Sequence, residues 1–194
     1  MVRISSFATV CLSLFAVAFS AGCGNRPTTP PTRPLAKPCE TCIEGVVNFA
    51  KVSSALWRGA QPTKEGFRNL EAAGVKAIVN FRHDHDDLPL LAGTQLKYLW
   101  LPARAWKPEE QDLVILLKVL EDPKNWPVFV HCAEGKDRTG YSVAAYRIIA
   151  EDWAPGDAIH EMFEFHYNSI WFENPRFLHR LNAGQMRTRV KMTP

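Results

Sequence analysis

Long apolar stretches are scarce in this 194-residue chain: beyond residue 25 no run of about 18 uncharged apolar positions occurs, which excludes a polytopic membrane protein. Glycine and proline, at 11 and 14, are too few for a fibrous protein, and 11% aromatic residues are too many for a disordered one. An excess of one charge is lacking too. The net charge of +3, from 23 basic and 20 acidic residues, is too mild to argue for nucleic acid, though it slightly favours an anionic ligand. No internal repeat is visible. What remains is an ordinary globular composition, 46% hydrophobic and 22% charged, enough for one domain with a short appendage.

That appendage is N-terminal. One charge at Arg3, a largely apolar run from Phe7 to Phe19 and the close Ser20-Ala21-Gly22-Cys23 read as a secretory signal. The last four residues resemble the bacterial lipobox, with Ser20 where Leu is usual. Residues 1–22 are therefore expected to be a lipoprotein-type signal peptide, with Cys23 acylated and the protein exported to the cell envelope or periplasm, anchored to the membrane. Plain secretion and an uncleaved anchor are the alternatives. Residues 23–45 form a linker carrying Pro27, Pro30, Pro31, Pro34 and Pro38, expected to be an extended spacer without a core. At its end stands Cys39-Glu40-Thr41-Cys42, a redox pair, a metal half-site or a plain disulfide. A zinc site would need two more ligands and no second C-x-x-C exists; an oxidising compartment favours the disulfide. Cys132 is then left alone and needs explaining.

Residues 46–194 read as the folded domain. Leu56-Trp57-Arg58 suggests a short strand, and Thr63 caps a helix that Gly74 stops. Val75 to Phe81, Leu96 to Leu101 and Pro127 to His131 read as strands. Pro108 opens a helix with Glu109, Glu110 and Asp112 near its positive end. Thr139 to Asp152 reads as a further helix, and Asp157 to Tyr167 and Pro175 to Leu181 as two closing ones. Strands alternating with helices predict an α/β domain, its central, mostly parallel sheet flanked by helices.

The chemistry concentrates where a buried strand meets a helix, at His131-Cys132-Ala133-Glu134-Gly135-Lys136-Asp137-Arg138-Thr139-Gly140. Ligands of open α/β sheets sit off the carboxyl ends of strands, and a helix N-terminus offers free N–H groups to an anion. A short loop there can aim several amides at one centre, with Gly135 permitting a close backbone approach. The same positive field favours the thiolate of Cys132, ready for nucleophilic attack. Arg138 contributes a planar fork that matches two phosphate oxygens.

Cys-x5-Arg, preceded by His and followed by Thr-Gly, resembles the signature of the cysteine-dependent tyrosine and dual-specificity phosphatases. Trp57-Arg58-Gly59-Ala60-Gln61-Pro62 and Gly74 to Arg82 resemble the opening strands of the atypical bacterial, fungal and plant type. The likeness covers about residues 52–185 and implies the phosphatase fold. It also implies that Cys132 attacks phosphorus to form a cysteinyl-phosphate, which water hydrolyses. The amides of Ala133, Glu134, Gly135, Lys136, Asp137 and Arg138, with the Arg138 fork, hold the oxygens. His131 supports the loop and the thiolate, Thr139 donates its hydroxyl to Cys132, and neither metal nor organic cofactor is needed.

One element of that pattern is missing. The family places an Asp general acid on a loop some 30 residues before the cysteine, but Pro102-Ala103-Arg104-Ala105-Trp106-Lys107 holds no carboxylate. Phosphatases with a similar Gly-Lys-Asp-Arg loop point to Asp137 as donor; Asp84, Asp86 and Glu109 are the alternatives. His83-Asp84-His85-Asp86-Asp87 invites a metal reading, yet its composition suits a solvated rim better. Lys136, Arg58, Arg82, Arg104 and Lys107 are expected around the site, a cationic setting that suits a polyanion. The expected partners are a phosphoprotein, phosphoinositide or inositol phosphate and, through the lipid anchor, a membrane, with the protein a monomer that binds no nucleic acid. A rhodanese-type or arsenate-reductase-type cysteine enzyme and an inactive phosphate-binding module are the rival readings.

Overall fold

A computed structural model describes residues 30–194, so the signal segment, Cys23 and the first part of the linker lie outside the described residues. Five short strands form one sheet: β1 (Ala50–Lys51), β2 (Leu56–Gly59), β3 (Ala77–Asn80), β4 (Lys97–Trp100) and β5 (Val128–His131), in the order β1-β2-β5-β3-β4. All neighbours pair parallel except β1 with β2. Around it lie α1 (Lys64–Ala72), α2 (Leu88–Leu91), α3 (Glu110–Glu121), α4 (Asp137–Ala150), α5 (Pro155–Glu164), α6 (Glu173–Arg180) and α7 (Ala183–Met192). The expected α/β class with a mostly parallel sheet is what forms. The short α2 and all of α7 carried no strong apolar period and were not anticipated.

Strand periodicity decides what each face buries. Along β5, Val128 and Val130 turn to the side covered by α3, α4, α5 and α7, and Phe129 to the side covered by α1. Along β3, Ala77 and Val79 share the first face and Ile78 the second. Each fully buried Phe or Ile contributes roughly 1.5–3 kcal/mol. The same alternation puts His131, the last residue of β5, on the α1 side, its ring against Phe67 and Phe129, and Cys132 just beyond it on the α4 side. In α1, Thr63 accepts from Gly66 N at 3.0 Å as the cap its sequence predicts.

The linker behaves differently from the expected free spacer over residues 30–45. Thr32 N donates to Asp157 Oδ1 at 3.0 Å and its hydroxyl to Oδ2, Ala36 N donates to Glu161 Oε2 at 2.8 Å, and Leu35 packs on the core. The polar groups of α5 satisfy a proline-rich strand that has few donors of its own. Cys39 and Cys42 form the expected disulfide, and Cys39 pairs with Phe49 as an isolated antiparallel bridge.

Candidate active site

β2, β3 and β5 end level with one another, because Gly59 and Asn80 both pair with His131. The loops that leave these strands, and the loop after β4, therefore gather at one edge of the sheet. Cys132 opens the loop that joins β5 to α4; its side chain is buried, and it is the free cysteine among the described residues.

The loop's carbonyls are tied outward in succession. His131 Nδ1 lies 3.2 Å from Cys132 O, Gln61 N donates to Ala133 O at 3.1 Å, Asn48 Nδ2 donates to Glu134 O at 3.1 Å, and Arg58 Nη2 donates to Gly135 O at 2.6 Å. A trans peptide is planar, so a carbonyl held outward aims the next N–H to the opposite side. The amides of residues 133–136 are thereby turned to the other side, an arrangement that suits an anion, with Arg58 the one cationic side chain among the groups that hold the carbonyls. Gly135 has φ +67 and passes so close to β2 that an added Cβ would lie 2.5 Å from Gly59 O. Only glycine fits that approach.

Arg58 was expected on the substrate side of the site; the structure places it elsewhere. Its side chain is fully buried behind the loop, with the guanidinium carbon 3.7 Å from the centre of the Phe165 ring. Burial lowers its pKa to about 10, while Glu161 and then Cys132 favour the charged form. It is thus a fixed cation of the loop's support, within electrostatic reach of Cys132. Arg138, in the first turn of α4, has Nη1 3.5 Å from Phe81 O and a buried Nε with no partner among the described residues. Thr139 Oγ1 is likewise buried and unpartnered, so the expected bond to Cys132 is not made in this arrangement.

Asp87 is the residue the sequence reading missed. Its side chain is completely buried, and its Oδ2 lies 2.8 Å from His131 Nε2, off the straight line of a hydrogen bond. Gln61 Nε2 donates to Oδ1 at 2.8 Å, and the backbone N–H of Asp87 donates to Tyr98 Oη at 3.0 Å. The HDHDD segment is therefore no uniform rim: its last carboxylate backs the histidine before Cys132. The available signal was an Asp directly before the apolar Leu88-Pro89-Leu90-Leu91, the place of a helix N-cap. No group of three metal-ligating side chains occurs among the described residues.

The other expected residues divide. Asp137 carries the first turn of α4, and its two oxygens accept from Asn168 N at 2.9 Å and Trp171 Nε1 at 3.1 Å. Asp86 accepts from Leu88 N at 3.1 Å, and Glu109 pairs with Lys107 at 2.8 Å, which holds its carboxyl below the ordinary range and suits it poorly to donate a proton. Asp84 is exposed. Lys136 pairs with Glu134 at 3.1 Å, and Arg82 Nη1 donates to the Gln61 side chain at 3.3 Å. The acid-free loop 102–107 is fixed: Tyr141 Oη donates to Arg104 O at 3.1 Å, Asn174 Nδ2 to Ala105 O at 2.7 Å, and Trp106 stands 6.0 Å from Trp171.

A buried thiol at a strand end, a loop whose carbonyls are tied off and a guanidinium in the first turn of the next helix are what the fold assembles from Cys-x5-Arg. The sequence matches the family described as DSP-PTPase phosphatase fused to NAD+ Kinase over residues 40–162, more than half of the chain. The chain belongs to this DSP-PTPase family. Among curated relatives it is 31% identical over 121 residues to the dual specificity protein phosphatase TpbA of Pseudomonas aeruginosa, covering 62% of this chain and 55% of TpbA. It is 28% identical over 122 residues to the inositol diphosphatase DSP5 of Arabidopsis thaliana, covering 59% of each. The chain thus spans little more than half the length of these relatives. The crystal structure of P. aeruginosa TpbA superposes with a TM-score of 0.69 at 24% identity, over 82% of this chain and 98% of that one. The catalytic core of the PP-IP phosphatase SIW14 from S. cerevisiae gives 0.68 at 20% identity, over 77% and 94%. The DSP-PTPase fold expected from the signature is therefore the observed one.

Proposed function

We propose that the protein is a cysteine-dependent phosphomonoester hydrolase. The observation that carries this reading is the run of loop carbonyls tied off beside Cys132, with the buried Arg138 Nε–H unpartnered among the described residues. In the proposed reaction the Cys132 thiolate attacks phosphorus as the ester oxygen departs with a proton, leaving a phosphocysteine. Water then attacks phosphorus, the P–S bond breaks, and orthophosphate and the thiolate are released. The loop amides and the Arg138 guanidinium neutralise the equatorial oxygens throughout. Asp137 is the proposed proton donor, its place beside Arg138 fixed by Asn168 and Trp171. Thr139 supplies a hydroxyl that can turn to the leaving thiolate.

The proposed substrates are phosphomonoesters in general, with a leaning to inositol phosphates or phosphoinositides. The named activities of the DSP5 and SIW14 relatives support that leaning, as do the cations of Lys136, Arg82 and Arg104. A second reading, phosphotyrosine, is favoured by the exposed Trp106, Ile170 and Phe172 and by a TpbA structure described in complex with pTyr. The test is phosphate release from p-nitrophenyl phosphate, a phosphotyrosine peptide and an inositol-phosphate panel, with Cys132→Ser as control. A phosphotyrosine peptide that far outpaces every inositol phosphate rejects the inositide leaning. Activity that survives Cys132→Ser rejects the mechanism, and thiocyanate formation in its place revives the sulfurtransferase rival. Export with acylation at Cys23 is part of the proposal and is checked by fatty-acid labelling that Cys23→Ala abolishes.

A further inference from the structure

Asn48 is a polar residue in a core position, 5% exposed, with φ +53 in the left-handed region. Asparagine enters that region more readily than most residues with a Cβ. Three elements converge on it. Its Nδ2 donates to Glu134 O of the phosphate-binding loop at 3.1 Å and lies 3.5 Å from Phe165 O at the end of α5. Its backbone N–H donates to Glu40 Oε2 at 3.1 Å, and Glu40 sits inside the ring closed by Cys39–Cys42. Cys39 and Phe49 exchange backbone hydrogen bonds of 2.8 and 3.1 Å, fastening the segment that carries Asn48. Meanwhile Asn48 Oδ1 is buried with no partner among the described residues. An asparagine that merely filled space would leave neither end of its amide wanting; here the donor end is used and the acceptor end is sacrificed.

Glu134 O and Gly135 N–H belong to one peptide plane. We propose that Asn48 is a positioning residue of the phosphate-binding loop, setting the direction of the Gly135 N–H through Glu134 O, and that the disulfide-closed 39–49 segment is the arm that holds it there. This rests on the phosphatase reading above, since the loop must bind an anion for its amide direction to matter. The sequence of this arm lies outside the Cys-x5-Arg signature, with Asn48 86 positions before Glu134, so spacing gives no sign of the connection.

The test is calorimetric titration of the full chain carrying Cys132→Ser with inorganic phosphate, alone and with Asn48→Gly or Asn48→Asp. Glycine keeps the left-handed backbone and removes the donor; aspartate keeps the shape and sets an acceptor against Glu134 O. Phosphate Kd is expected to rise about tenfold in Asn48→Gly and further in Asn48→Asp. In the Cys132 background, kcat/KM for p-nitrophenyl phosphate should fall by a similar factor, at temperatures well below each variant's Tm. A variant that melts earlier but binds phosphate as its parent does shows a space-filling role and overturns the proposal. If the parent Cys132→Ser protein itself binds no phosphate, the anion-site reading fails first and this inference with it. Replacing Cys39 and Cys42 by Ser is expected to weaken phosphate binding in the same direction; unchanged affinity overturns the part assigned to the arm.

Discussion

Gly135→Ala isolates the packing on which the loop depends. The added methyl would stand 2.5 Å from both the carbonyl carbon and oxygen of Gly59 and 2.7 Å from Ala60 N, all backbone atoms of a central strand's end. None of these is a side chain that can swing aside. Overpacking of this kind costs about 1–3 kcal/mol, and a left-handed alanine adds roughly 1–2 kcal/mol. At about 2–4 °C per kcal/mol for a domain of this size, the melting temperature should fall by roughly 4–20 °C. If the loop relieves the clash by moving, the amides leave their aim, and a displacement near 1 Å costs about 100-fold in rate. Gly74→Ala is the companion variant. Its φ is +104 but nothing lies within 4 Å of the added Cβ, so it carries the conformational penalty without the clash. It stands before β3, at the end of the sheet away from Cys132, and should destabilise slightly with kcat/KM unchanged. Differential scanning fluorimetry and p-nitrophenyl phosphate hydrolysis read both. A Gly135→Ala protein with wild-type melting and kcat/KM within threefold would refute the close packing of the loop on β2.

Asp137→Asn should lower kcat by about 10²-fold or more on an alkyl phosphate, but far less on an aryl phosphate whose leaving group needs no proton; equal losses on both remove Asp137 from the acid role and leave it the anchor of Asn168 and Trp171. Asp87→Asn alters a fully buried polar contact with His131 and Gln61, which should cost about 1–3 kcal/mol and lower kcat with it; wild-type melting and turnover would show that the pair does not support the loop. Asp112 gives a pH prediction. Burial first, and then Glu109, push its carboxyl above the ordinary range, so the folded state binds this proton more tightly than the unfolded one. The resulting stability is present below the unfolded value and lost as pH rises through the folded one. Asp112→Asn should therefore raise Tm slightly at pH 7, the gain vanishing toward pH 3; a gain that persists at pH 3 would contradict this sign.

Much of this was written in local sequence. Continuous apolar runs named β3 and β5, Thr63 and Gly74 bounded α1, and the strand–Cys-x5-Arg–helix order located the loop, because each depends on residues a few positions apart. Local pattern also set the limits. It registered Arg58 as one more cation for the substrate and Asp87 as one more acid on a rim, because charge in a sequence carries no burial. Only the level ending of β2, β3 and β5 brings Arg58 behind Gly135 and Asp87 behind His131. The proline-rich segment reads as a spacer until α5 presents Asp157 and Glu161 to its few free donors. The Cys132 sulfur and the Arg138 guanidinium were thus determined by the chain itself, within one loop and one helical turn. The direction of the amides around them was decided by tertiary structure, since the carbonyls of Ala133, Glu134 and Gly135 are held by Gln61, Asn48 and Arg58, each more than seventy positions away in the chain.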